Sequence, residues 1–577
     1  MSRRRSLLFA LVVGAATVVL FLASRGRWSE PLIDSGREWI VPDALARGEL
    51  LYRDVVYWFG PFTPYFQAAF LKAFGSGMAS LVIAGAVSAA AVLAVLFAVL
   101  RLVAGRRDAW PWSALAIPAL VFMPNAGGAL LGMGYRIWHA AGFTLAAAAL
   151  ASSPRRTGPG RGVLRAAAAG VCAGLAGLCR IEWGLAALAA SVLACLVRPR
   201  DRRAGMRDAA LAAAAGLAVL AAGLGYFVWR AGWDAVVRDG HVLLTGLPAE
   251  TRNFLVHFSG VRDWPRGLAE MAYSTAMWSG LALVVALLAR PTAGGRRAVL
   301  AALVAALVVL AGSAAAGGAG SAVVYSAAPL VSLAALAAAL LRRRGSGAAA
   351  LAACGALGLV LSYRRIFHIG DSAYVGPPLL FAFVSAAGLV RLVEGRVRAA
   401  SARRRLASGL RGLVAALVVA AFAARIWQYR SIEAVPIAGT DGMLSSRQEL
   451  TREIEELARA VRAGTRDGDG LVVFPEGEIL NLLAERPNPI RHKLYLPGYL
   501  TDANEPAVLA ELEAARPAAV VIWNRPVTEY DRSLFGADYG LKIRDWLRAN
   551  YDETGFRASG EPLRTHPRFV LALRRAR

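Results

Sequence analysis

Apolar runs close to the thickness of a lipid bilayer recur throughout the first 430 residues of this 577-residue chain. A helix needs about 20 apolar residues to cross a bilayer, and about thirteen runs approach that length. Hydrophobic residues form 57% of the chain, above the roughly 45–50% of a soluble domain. We therefore predict a mainly α, polytopic membrane helical bundle. The predicted spans are centred near residues 15, 90, 117, 145, 171, 190, 218, 281, 305, 331, 354, 383 and 417.

The formal net charge of +26 is explained by membrane orientation and not by nucleic-acid binding. Arginine clusters separate the apolar runs and fall on one side if the spans alternate, as the positive-inside rule requires. These clusters are Arg3–Arg5, Arg101/Arg106/Arg107, Arg155/Arg156/Arg161, Arg198–Arg207, Arg290/Arg296/Arg297, Arg342–Arg344 and Arg391–Arg405. We predict a multi-pass protein of the cell inner (plasma) membrane, with a cytoplasmic N-terminus and no nucleic-acid partner.

The composition after residue 430 is that of a soluble domain. Acids and bases are roughly balanced there, and GLVVFP, AAVVIW and RFVLALRR are typical of short strands. The stretch SSRQELTREIEELARAVRAG has a serine cap, an early glutamate and a terminal glycine, which predict a helix. We expect a transmembrane domain at 1–430 and a C-terminal soluble α/β domain at 431–577. An odd number of spans places this domain outside the cytoplasm.

Metal-binding patterns are absent from the sequence. The four cysteines all fall within apolar runs, and the six histidines are scattered without a ligand spacing. We predict no metal site and no certain cofactor, although the acidic residues described next would permit a divalent cation.

An acidic, aromatic-rich segment follows the first predicted span and reads DSGREWIVPDALARGELLYRDVVYWFGPFTP from Asp34 to Pro64. It cannot lie in hydrocarbon, where a central Asp, Lys or Arg costs about 2.5–3.5 kcal/mol. We therefore expect residues 25–64, here named the first outer loop, to lie at the bilayer surface. There its carboxylates and arginines would meet a lipid-linked substrate.

Asp34 and Glu38 are spaced so that they share a face if the segment is helical. A partly desolvated carboxylate has a raised pKa and can act as a general base. Arg37, between them, offers a planar fork suited to phosphate oxygens. This pattern is typical of transfer from a phosphate-linked donor, while the alternative is a solvated loop with a local salt bridge.

Three motifs of this loop, D-x-G-R-E at 34–38, G-E-x-L-Y-R-D at 48–54 and G-P-x-x-P-Y at 60–65, resemble the GT-C glycosyltransferases. The resemblance covers positions 30–75 and is nearest to bacterial protein-mannosyltransferase-like and RgtA/B/C/D-like enzymes. It implies a GT-C-like bundle, a polyprenyl-phosphate sugar as donor and an inverting transfer. It also implies an essential acid at Asp34, with Glu38 as its companion and Asp54 as a second acid.

Further candidates lie elsewhere on the predicted outer face. Arg364 and Arg365, like Arg37, are candidates for binding the donor phosphate, and snorkelling at the interface is their alternative. The candidate substrate-binding residues are Tyr52, Arg53, Arg136, Glu182, His368 and Asp371. A charged pair at a span end, as at Glu182, can also be a simple anchor.

We expect an integral-membrane glycosyltransferase that moves a hexosyl or pentosyl unit from a polyprenyl-phosphate donor in cell-envelope glycan biosynthesis. Its partners would be membrane lipids, the lipid-linked sugar and a glycan, lipid or protein acceptor on the extracytoplasmic face. One alternative is a transporter or flippase of lipid-linked sugars, whose mark is charge facing a cavity inside the spans. The other is a non-catalytic envelope assembly protein whose outer domain binds a partner.

Overall fold

The computed structural model describes residues 3–123, 128–131, 135–153, 159–197, 202–241, 246–259, 261–288, 326–341, 345–362, 376–556 and 567–575. The helices of the first 430 residues are α1 (Arg3–Ser24), α2 (Gly36–Ala46), α3 (Phe62–Phe74), α4 (Met78–Val103), α5 (Arg106–Ala116), α6 (Tyr135–Ser152), α7 (Pro159–Cys179), α8 (Ile181–Val197), α9 (Arg202–Ala231), α10 (Ala249–Ser259), α11 (Trp264–Leu288), α12 (Ala328–Leu341), α13 (Ser346–Leu361), α14 (Gly376–Arg396) and α15 (Ala400–Arg430).

The long apolar helices form the membrane part of the fold. Within the described ranges, six helices have the length and apolar composition to cross a membrane, namely Leu7–Ser24, Met78–Val103, Gly162–Cys179, Arg202–Ala231, Gly376–Arg396 and Ala400–Arg430. The shorter helices α8, α12 and α13 are also apolar. Every predicted span centre except that near 305 falls in a described helix or, near 117, in the π-helical turn that continues α5. Position 305 lies outside the described residues, so the count of about thirteen spans stays a prediction.

The C-terminal residues build a four-stranded sheet covered by helices. Its elements are β1 (Val435–Pro436), β2 (Ser445–Ser446), α16 (Gln448–Gly464), β3 (Leu471–Phe474), α17 (Ile479–Ala484), α18 (Glu505–Ala515), β4 (Ala519–Trp523), α19 (Leu541–Asn550), β5 (Tyr551–Phe556) and β6 (Phe569–Arg574). The sheet order is β3-β4-β6-β5, with β3 and β4 parallel and the other pairs antiparallel. The apolar segments predicted as strands form β3, β4 and β6, whereas the polar segment of β5 gave no such signal.

This α/β unit packs on the first outer loop. The Val56 N–H donates to the Arg491 carbonyl at 3.0 Å. The Arg491 guanidinium also donates to the carbonyls of Tyr52 and Arg53, at 3.0 and 2.7 Å. Near the end of α1, Arg25 donates to the Asp441 carbonyl at 2.8 Å. The loop and the C-terminal unit therefore lie at the same end of the helical bundle.

Candidate active site at the first outer loop

The segment that carries Asp34 has an unusual backbone. Residues Pro31–Ser35 form a single π-helical turn that runs directly into α2. The Ser35 hydroxyl donates to the Glu30 carbonyl at 2.7 Å and bonds the Ser29 hydroxyl at 2.7 Å. Such π-turns are frequent at functional sites. The sequence predicted a shared helical face for Asp34 and Glu38, and the structure puts Asp34 in the π-turn and Glu38 in the first turn of α2.

Glu38 and Arg136 form a buried ion pair. The Arg136 Nη1 atom lies 2.6 Å from Glu38 Oε1, and the two side chains are only 4% and 5% exposed. Arg136 stands in the first turn of α6, so the pair joins the first outer loop to the helical bundle. Two residues that the sequence assigned separately, one as a companion acid and one as a substrate contact, are therefore direct partners.

Phe59 lies against two guanidinium groups at once. The Cζ atom of Arg136 is 4.1 Å from the centre of the Phe59 ring, and that of Arg180 is 5.0 Å away. Arg180 is buried at the break between α7 and α8, where its guanidinium pairs with Glu182 at 2.5 Å. A cation over an aromatic face is attracted by the ring quadrupole. The candidate Glu182 thus joins the same cluster as Glu38 and Arg136.

Backbone bonds hold Phe59 in this position. The Gly60 N–H donates to the Cys179 carbonyl at 3.2 Å, and a Cβ atom at Gly60 would overlap the Leu178 carbonyl. The Tyr52 hydroxyl donates to the Phe59 carbonyl at 2.6 Å. Burial raises the pKa of Tyr52 well above its usual value, so its phenol keeps the proton that this bond needs. Tyr52 therefore holds the Phe59–Gly60 segment in place.

Tyr57 packs on Phe59 and lies within electrostatic reach of Arg37. The Tyr57 ring packs edge-on against Phe59, with 5.6 Å between their centres. Burial raises the pKa of Tyr57, while the neighbouring Arg136 and Arg37 lower it and Glu38 raises it. The protonated phenol is therefore a hydrogen-bond donor amid charged side chains. The cluster formed by Arg37, Glu38, Tyr57, Phe59, Arg136, Arg180 and Glu182 is named the guanidinium cluster below.

Asp54 and Arg53 lie on the outer side of the loop. Arg53 pairs with Asp54 at 2.7 Å, and Asp54 also accepts the Leu50 N–H at 2.8 Å. The hydrogen bond from Arg53 lowers the Asp54 pKa, which keeps this carboxylate ionised. Both residues therefore stabilise the turn at 50–54, and the catalytic role of Asp54 stays a prediction.

Four of the candidates, Arg364, Arg365, His368 and Asp371, lie outside the described residues. Sequence reasoning left Phe59 and Arg180 out of the site. The local signal for Arg180 was its position in a charged pair before Trp-Gly at the end of a predicted span. Phe59 gave no such signal, because it is one of several aromatic residues in the first outer loop. Among the residues that the structure describes, no group of three or more His, Cys, Asp and Glu side chains is arranged to hold a metal ion.

The C-terminal unit contributes to the surroundings of the cluster. Trp58 stacks on Tyr499 with 3.7 Å between ring centres and 13° between planes. The unit also contacts α10, where Phe254 stacks on Tyr530 at 4.7 Å and Arg532 pairs with Glu250 at 2.9 Å. The same unit thus contacts both the first outer loop and α10.

Gly36, two residues after Asp34, gives a test of this packing. A Cβ atom there would overlap the backbone of Glu478 and Ile479, and backbone cannot move aside as a flexible side chain can. We expect Gly36→Ala to lower the thermal-unfolding midpoint and to increase proteolytic cleavage between residues 25 and 64. The control is Gly14→Ala in α1, where a Cβ meets no atom within 4 Å. Equal midpoints for the wild type and Gly36→Ala would contradict the packing.

Two solved structures are similar to this chain in fold, although their sequence identity to it is low. ArnT from Cupriavidus metallidurans bound to undecaprenyl phosphate has a TM-score of 0.52 at 14% identity, over 99% of this chain and 98% of that one. The archaeal oligosaccharyltransferase AglB from Archaeoglobus fulgidus, in complex with an inhibitory peptide and a dolichol-phosphate, has a TM-score of 0.50 at 14% identity, over 98% and 76%. No protein-family model and no curated protein matches the sequence. The chain has the GT-C fold, which confirms the resemblance at the level of fold.

Proposed function

We propose that this chain is an integral-membrane glycosyltransferase that takes a sugar from a polyprenyl-phosphate-linked donor. The strongest support for this proposal is the guanidinium cluster, which joins the first outer loop to the helical bundle of a GT-C fold. Arginine forks suit phosphate oxygens, and their burial strengthens each interaction with an anion. The similar ArnT structure is bound to undecaprenyl phosphate, a ligand of the same chemistry.

Asp34 is the proposed general base. It would accept the proton of the acceptor hydroxyl while the hydroxyl oxygen bonds the anomeric carbon and the bond from that carbon to the donor phosphate oxygen breaks. Positive charge builds on the sugar ring in such a step, and attack opposite the leaving phosphate inverts the configuration. Arg37, with Arg364 and Arg365, would balance the charge of the departing phosphate.

An aromatic ladder on α3 supports the lipid half of the donor. Phe62, Phe66, Phe70 and Phe74 recur every four residues, with ring centres 6.0, 5.0 and 5.9 Å apart. The ladder begins three residues after Phe59 and ends at Phe74, which is 62% exposed. An isoprenoid chain lying along it would have its phosphate at the guanidinium cluster. We propose this surface for the polyprenyl tail.

Phe70→Ser is expected to raise the KM for a long-chain polyprenyl-phosphate sugar by about ten- to hundredfold, because burying an aromatic side chain contributes roughly 1.5–3 kcal/mol. The KM for a dimethylallyl-phosphate sugar should change little, because its single isoprene unit cannot reach Phe70, whose ring lies beyond those of Phe62 and Phe66. Transfer kinetics in proteoliposomes with both donors measure the difference. Equal changes for the two donors would contradict the placement of the tail.

The proposed function itself is tested on cells with and without the protein. Mass spectrometry of envelope glycans should find one sugar missing in the cells that lack it, and the missing residue identifies both donor sugar and acceptor. Purified protein in vesicles should then transfer that sugar from its lipid carrier. Movement of the carrier across the vesicle membrane without sugar transfer would support a flippase instead.

A further inference from the structure

We infer that Phe59 is a positioning residue that holds Arg136 and Arg180 together as one binding site for the phosphate of the donor. This inference rests on the proposed function, and it adds Arg136 and Arg180 to the residues proposed to bind the phosphate. The pair comes from two separate places in the bundle, the start of α6 and the break between α7 and α8.

The two guanidiniums repel each other, and both the Phe59 ring and the paired carboxylates of Glu38 and Glu182 offset that repulsion. Their Cζ atoms lie 4.1 and 5.0 Å from the centre of the same Phe59 ring, so the two guanidiniums are close neighbours. Both side chains are nearly buried, at 4% and 2% exposed, and like charges in a low dielectric interact strongly. The negative faces of the aromatic ring offset this repulsion, and the attraction is largest where water is excluded.

Each arginine is also held by a carboxylate. Glu38 bonds Arg136 at 2.6 Å, and Glu182 bonds Arg180 at 2.5 Å. A guanidinium has five N–H donors, and one carboxylate uses at most two in a fork. The Nε of Arg136 is buried without an acceptor among the described residues. A phosphate group, with its several oxygens, is the kind of ligand that such donors accommodate.

The loop backbone, and not the Phe59 side chain, determines where the ring lies. The peptide bond that follows Phe59 is held by two hydrogen bonds: the Gly60 N–H donates to the Cys179 carbonyl at 3.2 Å, and the Phe59 carbonyl accepts the Tyr52 hydroxyl at 2.6 Å. A substitution of the ring should therefore leave the loop in place and change only the contact with the two arginines. This separates a role in positioning from a role in folding.

The test compares Phe59→Leu, which keeps apolar volume, with Phe59→Tyr, which keeps an aromatic face. Farnesyl phosphate is titrated into the purified full-length protein in detergent, and the donor KM and kcat are measured in vesicles. Phe59→Leu should weaken farnesyl phosphate binding and raise the donor KM by about tenfold, the equivalent of one strong cation–π contact. The value of kcat should change less, and Phe59→Tyr should restore both binding and KM.

The matched control is Phe97→Leu. Arg101 lies 6.0 Å from the centre of the Phe97 ring, near the end of α4 that is distant from the first outer loop, so this variant makes the same substitution at a longer, exposed cation–π contact elsewhere. It should bind farnesyl phosphate as the wild type does. If Phe59→Leu does not fold, Phe59→Met supplies the same comparison.

The inference is overturned if Phe59→Leu binds farnesyl phosphate as tightly as the wild type, or if Phe59→Tyr loses as much affinity as Phe59→Leu. These binding measurements require no sugar transfer. A protein that binds the phosphate through Phe59 but transfers no sugar would refute the proposed function and leave this inference intact.

Discussion

Replacing Asp34 by Asn is expected to reduce sugar transfer in membranes by about 10²–10⁴-fold, the usual contribution of a positioned general base. Asn has nearly the same shape but cannot accept the proton of the acceptor hydroxyl. Because binding of the donor does not need that proton transfer, kcat should fall while the donor KM stays close to its wild-type value. Radiolabelled sugar transfer in membrane vesicles measures both parameters.

The control for this prediction is Asp552→Asn. Asp552 is a surface carboxylate of the C-terminal unit whose side chain is 74% exposed and pairs with Arg575. The same change of charge at that position should leave transfer unaffected. Wild-type transfer by Asp34→Asn would end the role proposed for Asp34.

The second large effect is expected from Arg136→Gln. This change leaves the carboxylate of Glu38 buried and uncompensated, and breaking a buried pair from one side costs about 3–5 kcal/mol. We expect a clear fall in the thermal-unfolding midpoint of the purified protein and in the amount of folded protein in membranes. Farnesyl phosphate binding should be lost as well, since Arg136 is one of the two arginines at Phe59.

The double variant Glu38→Gln with Arg136→Gln separates these two effects. Removing both charges removes the unpaired carboxylate, and replacing a whole buried pair is often close to neutral for stability. The double variant should therefore recover most of the unfolding midpoint but none of the phosphate binding. An Arg136→Gln protein as stable as the wild type would show that the ion pair does not contribute to the fold.

Much of the fold was predictable because its signals are local. Hydropathy along a single run is enough to identify an apolar helix, and β3, β4 and β6 were predicted because each is a continuous apolar segment. β5 was not, since most of the sequence YDETGF is polar and its place in the sheet comes from pairing with β6. The acidic first outer loop was likewise marked by composition, as charged residues between apolar runs cannot enter hydrocarbon.

The partners within the site could not be predicted in the same way. Glu38 and Arg136 are 98 positions apart, and the sequence gave each of them a separate task. Tyr52 was expected to contact substrate, yet its hydroxyl is buried and bonded to the Phe59 carbonyl. Phe59 was not predicted as a site residue, because a ring that contacts two distant arginines leaves no local pattern.

The sequence alone determined that this chain is a helical membrane protein with a charged loop after its first helix and an α/β unit at its end, because hydropathy and strand patterns depend on neighbouring residues only. The tertiary structure decided which charges meet. Packing of α2 and the Phe59–Gly60 segment against α6 and the break between α7 and α8 removes water from Glu38, Arg136 and Arg180, and a buried charge must then find a partner. That requirement pairs Glu38 with Arg136 across 98 positions of sequence.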